Sequence, residues 1–254
     1  MKRIFIIIAM AITACGAAHA QFSDYGVRLA AGVATIEDDL STKSPILGLN
    51  AGGYITYTLQ NNPTVLSEIF YLQTGLNLVR RGADFEEVLQ NENTMSIRTG
   101  CVHPWYLQLP ILAGVHFELP IRQAGHVVGI FVGPTVNFGL FGRYNDRKVS
   151  PGMSTYHDNY DVEYNGTPED RQLFNHIHRL DIGAVLGLSY ERGPFTFTLF
   201  MDHGFLATSE GTDIIRLLDR ETGAIAEDVN VTIPGGNNHA IMLGVSYRLG
   251  TLSK

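Results

Sequence analysis

The sequence predicts an all-β protein, an eight-stranded antiparallel up-and-down barrel that crosses a membrane. Three observations lead there. Eight segments alternate with period two, their connections alternate between short and long, and an export signal precedes a chain with no membrane helix.

Composition sets the frame. Of 254 residues, 45% are hydrophobic and 17% charged. Average charged content is about 25%, so a disordered chain is excluded. Eighteen basic against 25 acidic residues give −7, which argues against nucleic acid as a partner. Two cysteines cannot build a disulfide framework.

Residues 1–20 read as a signal peptide. Lys2 and Arg3 precede an apolar run over 4–14, too short to span a bilayer of about 30 Å as a helix. Ala18-His19-Ala20 is a small-x-small cleavage site. Cleavage after Ala20 makes Gln21 the new N-terminus and leaves Cys101 as the remaining thiol. Ile12-Thr13-Ala14-Cys15 resembles a lipobox, which gives a rival reading with Cys15 lipidated. No later window approaches 18 uncharged apolar residues. Residues 21–254 are then the barrel with its loops.

Successive side chains of a strand point to opposite faces. Over 239–249, Ile241, Leu243, Val245, Tyr247 and Leu249 oppose Ala240, Met242, Gly244, Ser246 and Arg248. Over 105–119, Trp105, Leu107, Leu109, Ile111, Ala113, Val115, Phe117 and Leu119 share a face without one charge. Six further segments repeat the split: 26–36, 47–59, 69–79, 128–142, 176–191 and 195–206. Soluble sandwiches alternate too, so the contents of each face decide the matter. Here one face carries bulky aliphatics. The other carries glycine with Arg28, Glu118, Arg179, Asp181, Glu191, Asp202 and Arg248. That is the pattern of a tube with lipid outside and a narrow, filled interior.

Connections agree. Residues 60–64, 120–125 and 192–194 are short, whereas about 80–103, 143–175 and 208–238 are long. Membrane barrels have short periplasmic turns and longer external loops. An even strand number then leaves the N- and C-termini periplasmic. The long loops are acidic, with Glu86, Glu87, Asp158, Asp161, Glu169 and Asp213 among them. Residues 214–232 predict a hairpin turning around Arg220-Glu221-Thr222-Gly223. Aromatics fall at two levels, Trp105, Phe138 and Phe205 at the outer rim, and Tyr57, Phe70, Phe117, Tyr190, Phe195 and Tyr247 at the periplasmic rim.

Three stretches carry a resemblance: Gly26-Val27-Arg28-Leu29-Ala30-Ala31-Gly32, Trp105-Tyr106-Leu107-Gln108-Leu109-Pro110 and Leu243-Gly244-Val245-Ser246-Tyr247-Arg248-Leu249. In these the chain resembles the eight-stranded outer-membrane barrels common in Bacteroidota, PorT-like or "outer membrane protein beta-barrel domain" chains. The resemblance implies the outer membrane of a Gram-negative bacterium, with its lipid as surroundings. Gly244, Tyr247 and Leu249 resemble the insertion signal read by the barrel-assembly machinery, although residues 250–254 follow where such chains often stop.

The lumen charges read as a salt-bridged plug rather than a conduction path, since a buried charge needs a partner. His176 and His178 share a strand face but read as interfacial histidines, not metal ligands. Asp158, Asp161 and Glu163 lack calcium-loop spacing. No P-loop, dinucleotide fingerprint or Cys-x-x-Cys occurs, and His203 with Ser209 makes no nucleophilic arrangement. No catalytic residue, cofactor or metal is expected. The expected role is a non-enzymatic barrel acting structurally or in surface interaction through its loops. The alternatives are an accessory part of a type IX-like secretion system, with secretion-system proteins as partners, and a lipid-A-modifying enzyme.

Overall fold

A computed structural model describes residues 21–37, 42–58, 69–91, 94–119, 125–149, 179–206, 212–218, 225–232 and 236–251. The expected signal peptide, the Cys15 lipobox, His176, His178, Ser209 and the Asp158–Glu163 cluster lie outside these residues.

Among the described residues eleven strands form: β1 (Gln21–Glu37), β2 (Thr42–Thr58), β3 (Phe70–Arg80), β4 (Ala83–Asn91), β5 (Thr94–Glu118), β6 (His126–Val149), β7 (Leu180–Arg192), β8 (Phe195–Gly204), β9 (Thr212–Leu218), β10 (Ile225–Thr232) and β11 (Asn237–Thr251). The order β1-β11-β8-β7-β6-β5-β3-β2 closes through a β1–β2 pairing, and every pairing is antiparallel. The result is a closed eight-stranded barrel. Within the ring of eight strands, closure leaves no edge strand.

The reading of residues 80–103 as a long loop is corrected. The wall of β3 breaks only at Arg81-Gly82 and resumes as β4, which pairs with β2 and β5 as β3 does. Likewise β6 runs on to Val149, its upper part paired with β5 as far as Ile97, where a loop was expected from 143. The physical reason lies in the unbroken parity. Val79, Arg81, Ala83 and Phe85 all point inward and are buried. Phe85 packs in an upper apolar cluster with Ile36, Ala83, Val102 and Tyr106. Arg80-Arg81-Gly82 looks like a turn, and Gly82 does adopt φ +128°, which L side chains rarely reach. The chain kinks there without reversing. The expected hairpin is present as the antiparallel pair β9–β10, whose turn lies outside the described residues.

The outer wall is apolar. Leu29, Leu76, Leu186 and Leu243 are exposed on it, the last at 68%. Aromatic pairs sit at both ends, Trp105 with Phe141 at 6.0 Å and Phe195 with Tyr247 at 5.1 Å. The interior differs from the small-or-polar face the sequence suggests. Its middle is filled by Leu112, Phe131, Val185, Phe200 and Met242. Glycines make the room. A Cβ on Gly187 would strike the Phe131 ring and Phe200, and one on Gly48 would crowd Met242.

Candidate functional site

Charged side chains occupy two levels of the lumen, one on each side of that apolar layer. Three inward-facing rows show the order. Along β5 it runs Gln108, Leu112, His116, along β7 Asp181, Val185, Ser189, and along β8 Asp202, Phe200, Thr198. Polar, apolar and polar levels therefore stack along the barrel axis.

The upper level is built around Arg81, whose side chain is wholly buried. The β3–β4 kink carries it into the lumen. One guanidinium nitrogen, Nη2, donates to Asp202 Oδ2 in a short ion pair, while Nη1 lies 3.5 Å from Asp181 Oδ2. Asn137 Oδ1 accepts from Nη2 at 3.5 Å. The carboxylates have further donors. Gln108 Nε2 reaches Asp202 Oδ2 at 2.8 Å, Asn137 Nδ2 reaches Asp181 Oδ2 at 3.3 Å, and the Leu206 amide reaches Asp181 Oδ1 at 3.4 Å. Asn50 and Asn77 donate to Gln108 Oε1 at 3.4 and 3.3 Å. Charges this deep cost several kcal/mol each to desolvate unless paired and hydrogen-bonded. The arrangement supplies both for most of these atoms, with Arg81 Nε and Asp202 Oδ1 left without a hydrogen-bond partner.

The lower level holds Arg28 and Arg248. Arg28 donates through Nη2 to Gln73 Oε1 in a short hydrogen bond and through Nε to Ser246 Oγ at 3.3 Å, with its guanidinium 5.5 Å from the centre of the Tyr54 ring. Arg248 Nη1 lies 3.4 Å from both Asp24 Oδ2 and Glu191 Oε1. These groups, with His116 and Tyr71, line a cavity of about 100 Å³.

Of the residues singled out from the sequence, Asp181 and Asp202 share the upper level, while Arg28, Glu191 and Arg248 share the lower. Glu118, at the end of β5, and Arg179, just ahead of β7, are exposed, outside the buried part of the lumen where they were expected. In β11, Tyr247 and Leu249 are exposed on the outer wall and Gly244 lies against Thr198 and Ala30. The central cation, Arg81, was missed because it was read into a loop. Counting by twos past Asn77 and Val79 would have found it. On the outer wall, Asp84, Cys101 and His103 bring potential metal-ligand atoms within 4.8 Å of one another. His203 has His239 Nδ1 at 2.8 Å from its own Nδ1.

The family model for the outer membrane protein beta-barrel domain matches residues 18–208. The chain belongs to that family. Its membership fits a closed barrel with an apolar outer wall and points to the outer membrane. Among solved structures, the attachment invasion locus protein Ail of Yersinia pestis, in complex with the heparin analogue sucrose octasulfate, is similar at 11% identity and a TM-score of 0.31, over 90% of this chain and 99% of that one. Outer Membrane Protein W of E. coli is similar at 15% identity and a TM-score of 0.28, over 90% of this chain and 99% of its own. Among curated proteins, none matches this chain.

Proposed function

We propose that this family member is a non-enzymatic, non-conducting outer-membrane barrel, exported by a cleaved signal peptide, with both termini in the periplasm. Its work is structural or in surface interaction and is carried by the external segments. The observation that supports this most is the stacked lumen. A buried Arg81–Asp202–Asp181 level lies over an apolar layer of Leu112, Phe131, Phe200 and Met242. Water-filled porins need many more strands than eight. A barrel closed in this way does its work on its outer surfaces, and the β4–β5 hairpin and the upper part of β6 extend the wall on one side.

The test has three parts. Purified protein is reconstituted in planar bilayers, where no single-channel steps are expected. Intact cells expressing the protein are compared with a deletion strain for surface-partner capture by crosslinking, where external partners that depend on the loops are expected. Lipid A from both strains is compared by mass spectrometry, where identical profiles are expected. Stable channel currents or an altered lipid A profile would reject the reading. Capture of periplasmic secretion components alone would replace it with the secretion-system role that the PorT-like stretches imply.

A further inference from the structure

Beyond the lumen, the outer wall carries a compact set of unlike donor groups. Asp84 on β4 is the register partner of Cys101 on β5, and His103 stands two residues further along β5. Side chains two apart on a strand share a face. Register and parity therefore put carboxylate, thiol and imidazole on one surface, backed by the buried side chains of Phe85 and Val102. The potential ligand atoms lie within 4.8 Å of one another. His103 Nε2 is 2.8 Å from Asp84 Oδ1, and its Nδ1 is 3.3 Å from Arg80 Nη2. The set stands beyond the Trp105–Phe141 pair along the strand, on the extension of the wall.

Thiolate, imidazole and carboxylate together suit a borderline-soft divalent ion and not magnesium or calcium, which take oxygen ligands. Three protein ligands with an open fourth position is the usual form of a reactive zinc site. We propose that Asp84, Cys101 and His103 bind one zinc-class divalent cation on the outer wall, clasping β4 to β5. An ion bonded at about 2.0–2.3 Å holds tetrahedral ligand atoms ~3.4–3.7 Å apart. Side-chain rotation on a fixed ladder brings the atoms to that spacing, from 2.8 Å for His103 and Asp84 and from no more than 4.8 Å for the others. On binding, the Cys101 thiol releases its proton to water and its sulfur bonds the ion. His103 moves its proton to Nδ1 and bonds through Nε2, giving up the hydrogen bond to Asp84, whose carboxylate takes the third position. Arg80 turns outward to make way for the Nδ1 proton. Water completes the fourth position.

The mature protein, folded in detergent and stripped of metal, is titrated with Co²⁺ and then Zn²⁺. One equivalent of cobalt is expected, with a thiolate-to-cobalt charge-transfer band in the near ultraviolet that zinc abolishes. Cys101→Ser should remove the band, and His103→Ala and Asp84→Asn should each weaken binding at least about tenfold. Heat-modifiable migration on a gel checks that each variant is folded. A folded wild type without the band overturns the site. So does cobalt affinity that is unchanged in Cys101→Ser and His103→Ala but lost in His203→Gln, which would move binding to the His203–His239 pair.

Discussion

Arg81 and Asp202 form an ion pair across the full width of the barrel. They come from the β3–β4 kink and from β8, which lie half-way round the closed sheet from one another, and both side chains are completely buried. Asp181, on the strand beside β8, lies on the same guanidinium. One side chain therefore ties opposite walls together where backbone hydrogen bonds join only neighbours.

Removing that tie should be costly. Arg81→Met leaves two carboxylates buried without their cation, and breaking a buried pair costs about 3–5 kcal/mol. The urea midpoint of refolded protein in lipid vesicles should fall accordingly. Adding Asp181→Asn and Asp202→Asn to Arg81→Met should recover most of the loss. A triple variant no more stable than the single one would show that the carboxylates are not what the arginine serves.

The apolar layer makes a separate prediction about permeation. Arg81→Ala alone should stay electrically silent in planar bilayers, because Phe131 and Phe200 still seal the tube. Arg81→Ala combined with Phe131→Ala and Phe200→Ala should produce steps. Currents from the single variant would show that the charged level alone closes the lumen.

Gly187 tests how tightly that layer is packed. A Cβ there meets the Phe131 ring and Phe200. Gly187→Val should cost about 1–3 kcal/mol by overpacking, read as a lower urea midpoint. Pairing it with Phe131→Leu should restore part of the loss. Gly193, whose Cβ position is open, sets the contrast for space, although its φ of +61° suits glycine. Equal stability of Gly187→Val and wild type would mean the layer is loose.

The outer wall makes a fourth prediction. Among the described residues Leu243 is the most exposed large aliphatic on it. Leu243→Arg should destabilise the folded state by roughly 2–4 kcal/mol if the site lies near the bilayer midplane. Bimane attached at Leu243→Cys in a Cys101→Ser background should be quenched by brominated acyl chains, whereas bimane at Thr196→Cys, on the inward side of β8, should not. Reversed quenching would turn the barrel inside out.

Period two is a local property, and so most of the wall was legible. Leu243, Leu109 and Leu186 fall on the outer face by parity alone, and the short connection at 192–194 marks a turn between β7 and β8. The legible part ended where local cues conflict. Arg80-Arg81-Gly82 carries the composition of a turn, so β4, the upper part of β5 and the central cation were read as loop. The inward aromatics Phe131 and Phe200 sat on a face that was characterised by its glycines, although those glycines are small because the aromatics are large.

The sequence by itself determined which side chains look outward, because alternation needs only the chain's own geometry. The tertiary structure decided which charges meet. Arg81 finds partners 100 and 121 residues away through strand register and closure. Neither is encoded in any short stretch, since register is set only when eight strands bond in a ring.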